Sequence, residues 1–74
     1  MKYYIRLTYT NRGEVYYKAH KKAYGWCGES NKDGAWKFSK QGAKKIIERF
    51  EQERDFGHYI WAEDAVWELE EAGQ

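Results

Sequence analysis

The stretch of residues 38–50 constrains the fold of this chain most, because it carries a complete helix signal. Ser39 is placed as an N-cap, since its hydroxyl can accept a hydrogen bond from a free backbone N–H of the first turn. The apolar positions that follow recur with helical spacing, which places them on one face. They are Ala43, Ile46, Ile47 and Phe50. With Gly57 as a stop, the pattern predicts one amphipathic helix over about residues 40–55.

The residues before this helix alternate in the manner of β-strands. Apolar and aromatic side chains recur at every second position of residues 2–10, and the same period continues in residues 14–24. Residues 11–13, Asn-Arg-Gly, supply turn chemistry between them, so we predict a β-hairpin. A second tight turn at residues 33–34, Asp-Gly, would return residues 35–38 as a short third strand.

The segment after the helix, residues 59–72, fits two structures. Apolar or small side chains at alternate positions favour a strand that runs through at least residue 69. These positions are Tyr59, Trp61, Ala65, Trp67 and Leu69. Residues 62–72 are also rich in Ala, Glu and Leu, and Gly73 could cap a short helix there. We predict the strand and keep the terminal helix as the alternative.

These elements predict one α+β domain over residues 1–74, in which a small antiparallel sheet packs on one amphipathic helix. The sheet has three to four strands in the order β-β-(β)-α-β. The predicted core consists of Ile5, Leu7, Val15, Tyr17, Phe38, Ala43, Ile46, Ile47, Phe50 and Trp61. No second helix remains to cover the other face of the sheet. We expect that face to display Tyr4, Arg6, Thr8, Tyr16, Lys18 and His20.

The residues that could carry metal or catalytic chemistry are few and isolated. His20, Cys27 and His58 lack the paired spacing of a zinc site. Nucleophilic catalysis by Cys27 would need a base and an orienting group, and no motif surrounds this residue. The sequence therefore predicts a non-enzymatic protein with no catalytic residues, no metal and no cofactor.

Charge is distributed unevenly, although the net charge is only +1. Residues 1–49 hold twelve Lys and Arg against four carboxylates, and residues 50–74 hold one Arg against eight carboxylates. This asymmetry indicates either an interaction surface or two halves that neutralise each other across adjacent strands. The candidate acidic surface for binding a partner consists of Glu51, Glu53, Asp55, Glu63, Asp64, Glu68, Glu70 and Glu71.

A second candidate surface is basic and aromatic, as in proteins that bind single-stranded nucleic acid. Aromatic side chains stack on bases there, and basic side chains neutralise phosphates. The residues of this alternative are Tyr4, Arg6, Tyr16, Lys18, His20, Lys21 and Lys22. The near-zero net charge argues against it, and so does the acidic last third of the chain, which would repel phosphate.

Three features together suggest a family: the opening at residues 1–6, Met-Lys-Tyr-Tyr-Ile-Arg, the strand-to-helix junction at residues 37–46, and the acidic end. This pattern resembles small accessory proteins of bacteriophages and mobile elements, among them anti-CRISPR inhibitors. The resemblance implies that the chain binds and inhibits a host defence effector without catalysis. It also implies that the acidic surface imitates nucleic acid.

The partner and the location are predicted on the same basis. A host protein or nucleoprotein complex is the first expectation, nucleic acid is the alternative, and a homodimer formed through exposed sheet edges is the third. The single Cys27 indicates a reducing compartment, and no run of about 18 apolar residues could span a membrane. We therefore expect a cytoplasmic protein without a membrane partner, located in the host cytoplasm if a phage encodes it.

Overall fold

The computed structural model describes residues 1–21, 28–58 and 62–73. Four strands and one α-helix follow one another along the chain, with a short 3₁₀ helix at Lys32–Gly34. They are β1 (Tyr3–Tyr9), β2 (Glu14–Lys18), β3 (Gly28–Glu29), α1 (Lys40–Asp55) and β4 (Ala65–Glu71). The strands form one antiparallel sheet in the order β3-β2-β1-β4. The predicted α+β fold is confirmed.

The helix begins and ends where the sequence predicts. The Ser39 hydroxyl accepts a hydrogen bond from the backbone N–H of Gly42 at 3.2 Å, which satisfies one free donor of the first turn. At the other end Gly57 adopts a positive φ of 79° and donates its N–H to the carbonyl of Arg54 at 2.9 Å. Glycine takes this left-handed conformation without the steric penalty that other residues meet.

The core lies between α1 and one face of the sheet. Its buried cluster contains Ile5, Leu7, Tyr9, Phe38, Ala43, Ile46, Ile47, Phe50, Ala62, Ala65 and Trp67. The rings of Phe50 and Trp67 stack with their centroids 5.4 Å apart. Phe38, just before the helix, exchanges two backbone hydrogen bonds of 2.8 Å with Tyr3 at the start of β1. The helix therefore starts at the Tyr3 end of the sheet and runs towards the Tyr9 end.

The pairing of β1 with β2 differs from the prediction by one residue. Tyr9 pairs with Glu14 across a four-residue loop, and Leu7 therefore pairs with Tyr16. Side chains directly opposite each other in a sheet share a face, so Tyr16 and Lys18 lie on the helix side. The predicted placement of Val15 and Tyr17 in the helix-side core is wrong. Val15 is 37% exposed, and Tyr17 is buried on the opposite face.

Two other predicted elements also change. The third strand is Gly28–Glu29, which pairs with β2, whereas from residues 35–38 only Phe38 forms a bridge. The second strand was predicted to run through residues 14–24, but β2 ends at Lys18, and residues 22–27 lie outside the described residues. The last strand is confirmed from Ala65 onwards, and the alternative of a terminal helix is wrong. Trp61, a predicted core residue, lies outside the described residues.

Candidate functional site

The sheet face that points away from α1 carries a mixed set of side chains, and we call it the outer sheet face. Its members follow from the pairings of β1 with β2 and with β4, because side chains alternate along each strand. They are Tyr4, Arg6, Thr8, Val15, Tyr17, Val66, Glu68 and Glu70. The face is only partly open, since Tyr4 and Tyr17 are buried and their rings meet edge to face at 5.8 Å.

An ion-pair network crosses the outer sheet face. Arg6 Nη1 lies 2.9 Å from Glu70 Oε1, and Arg6 Nη2 lies 3.2 Å from Glu68 Oε1. The Tyr17 hydroxyl donates to Glu70 Oε1 at 3.1 Å, and Lys32 Nζ lies 2.5 Å from Glu70 Oε2. On this face the basic and acidic halves of the chain neutralise each other across adjacent strands. Glu68 and Glu70 are therefore poorly available to imitate nucleic acid.

The network shifts the pKa values of four of its members, Glu70 and Tyr17 among them. The hydrogen bond from Lys32 holds the pKa of Glu70 below its usual range, while desolvation opposes this effect and the Tyr17 hydroxyl adds to it. Burial raises the pKa of Tyr17, and its hydrogen bond to Glu70 raises it further. The folded state thus favours the ionised carboxylate at Glu70 and the neutral phenol at Tyr17.

Stability is expected to fall as the pH drops below about 5, in part through Glu70, whose usual pKa is about 4.3. Between its lowered folded pKa and its unfolded pKa, Glu70 binds fewer protons in the folded state. Its stabilising contribution is therefore complete above the unfolded pKa and is lost as the pH falls through the folded pKa. Urea unfolding at a series of pH values should show a shallower acid slope in Glu70→Gln. Parallel slopes would contradict the role of Glu70.

The predicted acidic surface divides into two groups. Glu68, Glu70 and Glu71 lie on β4. The other five lie in the last turns of α1 or just before β4. These two segments approach each other, since Arg54 Nη1 donates to the Ala65 carbonyl at 2.6 Å. This second group, which we call the acidic end, consists of Glu51, Glu53, Asp55, Glu63 and Asp64.

The acidic end keeps a net negative charge after its local contacts are counted. Asp55 lies 3.3 Å from Arg54 Nε, Glu53 pairs with His58, and the carboxylate of Asp64 accepts from the backbone N–H of Asn11 at 3.0 Å. Phe56, the residue that caps α1, is 75% exposed and follows Asp55 directly in the chain. The centroid of its ring lies 6.1 Å from that of His58, which pairs with Glu53. Sequence reasoning missed Phe56, although its position off the helical stripe is visible in the sequence.

The predicted nucleic-acid-binding residues do not share one face. Tyr16 and Lys18 lie on the helix side, and Lys18 is 0% exposed with its Nζ 5.8 Å from the centroid of the Phe50 ring. Arg6 lies on the outer sheet face but contacts two carboxylates. The others are divided as well: Tyr4 is buried, His20 is half-buried, Lys21 is exposed, and Lys22 lies outside the described residues.

Among residues 1–21, 28–58 and 62–73, no group of three or more His, Cys, Asp or Glu side chains is arranged to hold a metal ion. No helix in the same part of the chain is long and apolar enough to cross a membrane. Comparison with protein-family models, curated proteins and solved structures finds no match to this chain.

Proposed function

We propose that this chain is a small non-enzymatic inhibitor of the anti-CRISPR kind, which binds a host defence protein or nucleoprotein through its acidic end. The exposure of Phe56 at the end of α1, directly after Asp55 and near the His58–Glu53 pair, supports this proposal most directly. Aromatic side chains, phenylalanine among them, are enriched at the centre of protein–protein interfaces, and polar groups form the rim around them. The same carboxylates repel phosphate, so this surface suits a basic protein channel better than nucleic acid.

Electrostatics and burial have separate roles in this mechanism. The carboxylates are attracted to a basic nucleic-acid channel of the effector, and this attraction raises the rate of encounter. Once bound, they compete with the nucleic-acid substrate for the channel. Phe56 then loses its exposed apolar surface in the complex, which slows dissociation. The carboxylates on β4 contribute less, because Arg6 already contacts both Glu68 and Glu70.

The decisive experiment expresses the chain in bacteria whose CRISPR effector restricts a targeted phage. Plaque formation is expected to recover with the wild-type chain and to be lost when Glu51, Asp55 and Glu63 are all replaced by lysine. Phe56→Ala should weaken binding to the purified effector by at least about tenfold, since a hot-spot truncation costs about 2 kcal/mol or more.

A matched charge reversal at the other end of the molecule serves as the control. Lys2, Lys37 and Lys40 are exposed near the start of β1 and α1, and their replacement by glutamate should leave the inhibition intact. Circular dichroism verifies that every variant folds. Failure of the wild-type chain to restore plaques against a panel of CRISPR effector types would overturn the proposal.

The single-stranded nucleic-acid alternative is separated by a titration with labelled oligonucleotides at two salt concentrations. Binding that weakens steeply with salt would support it, because released counterions drive association with phosphates. The inhibitor proposal instead expects no binding at low salt. The division of the predicted basic and aromatic residues between two faces is the reason for this expectation.

A further inference from the structure

The backbone of β4 presents part of a free sheet edge. Within the described residues β4 is the terminal strand, with β1 on its inner side. At its two ends, Thr10 donates to the Asp64 carbonyl at 3.1 Å and Ala72 donates to the Lys2 carbonyl at 2.9 Å. In an antiparallel strand the backbone N–H and C=O groups of successive residues point to opposite sides, so those of the even-numbered residues of β4 point towards β1. Leu69 therefore directs its N–H and C=O away from the sheet.

The start of this edge is covered by α1. Ala65 points outward by the same alternation, and its carbonyl accepts a 2.6 Å hydrogen bond from Arg54 of α1. No described strand lies beside Leu69 or Glu71 on the outer side. An edge with outward backbone groups is a template for a further strand.

A groove of about 550 Å³ runs along the same edge between α1 and β4. Its lining residues are Lys44, Ile47, Glu48, Trp67, Glu68 and Leu69. Ile47 and Leu69 give it an apolar floor on the helix side. On the other side of the strand, the carboxylate of Glu68 is half exposed beside Arg6.

We propose that this edge of β4 accepts an extended segment of a partner protein as a fifth strand, with alternating apolar and basic side chains. Residues of the added strand that lie opposite Leu69 would point into the groove, and those opposite Glu68 would point to the outer sheet face. A basic side chain at the latter position complements Glu68, whose side chain stays half exposed although Arg6 contacts it. The proposal stands independently of the inhibitor function, because it uses a different surface.

The same charges argue against a second copy of this chain as the occupant. If two β4 strands paired antiparallel around Glu68, this carboxylate would face its own copy, and like charges directly opposite each other destabilise a sheet. The Glu-rich edge is in this respect protected against self-association. A partner with lysine or arginine at alternate positions meets no such repulsion.

The test uses a fluorescent peptide that alternates valine and lysine, titrated by anisotropy. Saturable binding is expected, with hydrogen exchange slowed at the amides of Leu69 and Glu71. Two peptide controls should each bind at least about tenfold more weakly, a difference of about 1.4 kcal/mol. One alternates valine and glutamate, and the other carries N-methyl groups on the amides that face β4.

Variants of the protein locate the site. Glu68→Lys should weaken binding of the valine–lysine peptide about tenfold, whereas Glu63→Lys at the acidic end should leave it unchanged. Equal binding of the N-methylated peptide, no binding of the unmodified one, or equal loss in both variants would overturn the proposal. Light scattering that shows a dimer occupying this edge would also overturn it.

Discussion

Phe50→Ala is expected to lower the free energy of unfolding by about 3–5 kcal/mol, the usual cost of truncating a buried phenylalanine. The side chain is 0% exposed, stacks on Trp67 and belongs to the cluster that joins α1 to the sheet. Small domains are stable by only about 5–15 kcal/mol, so a large part of the total would be lost. Urea unfolding followed by circular dichroism measures the change.

Phe56→Ala is the matched control, because it removes the same side chain from an exposed position six residues later. Its ring is 75% exposed, and surface substitutions of this kind usually change stability by less than about 0.5 kcal/mol. The two variants also separate fold from function: the first should lower the stability of the protein, and the second should weaken partner binding alone. Equal losses of stability would contradict the assigned positions of both rings.

The helix could be predicted from the sequence because its signals are local. The N-cap at Ser39, the apolar stripe and the stop at Gly57 all lie within twenty residues and act through backbone geometry. The bounds of α1 agree with the prediction for the same reason. Tertiary contacts were not needed to place either end.

The register of the hairpin could not be predicted in this way. Each face of β2 carries an aromatic residue, Tyr16 on one and Tyr17 on the other. Only the four-residue loop after Tyr9 decides which of the two faces points to α1. With Tyr9 opposite Glu14, the charged Lys18 enters the helix side and the apolar Val15 leaves it. A shift by one residue therefore exchanges the two faces of the strand.

The candidate site was only partly predictable for a related reason. The eight carboxylates form one set in the sequence, but β4 pairs with β1, which places Glu68 directly opposite Arg6. Arg6 thereby contacts two of the predicted residues, Glu68 and Glu70, and offsets part of their charge, whereas those near the end of α1 keep a net negative charge. Long-range strand pairing decides this division, and no local pattern reports it.

The network on the outer sheet face leads to the second large effect. Arg6→Glu is expected to lower the free energy of unfolding by about 2–3 kcal/mol, because hydrogen bonds to charged groups contribute about 1.5–3 kcal/mol. The substitution also places a new carboxylate beside Glu68 and Glu70, where like charges across a sheet repel. Chemical unfolding at neutral pH and low salt measures the loss.

A double variant distinguishes this electrostatic cause from a general loss of packing. Arg6→Glu combined with Glu68→Lys restores opposite charges at directly paired positions of β1 and β4. The interaction energy of the double-mutant cycle should therefore be favourable by about 1 kcal/mol or more and should decrease at high salt. If the double variant is instead as unstable as the sum of its single changes, the arginine contributes through its buried stem, and Arg6→Met should then retain full stability.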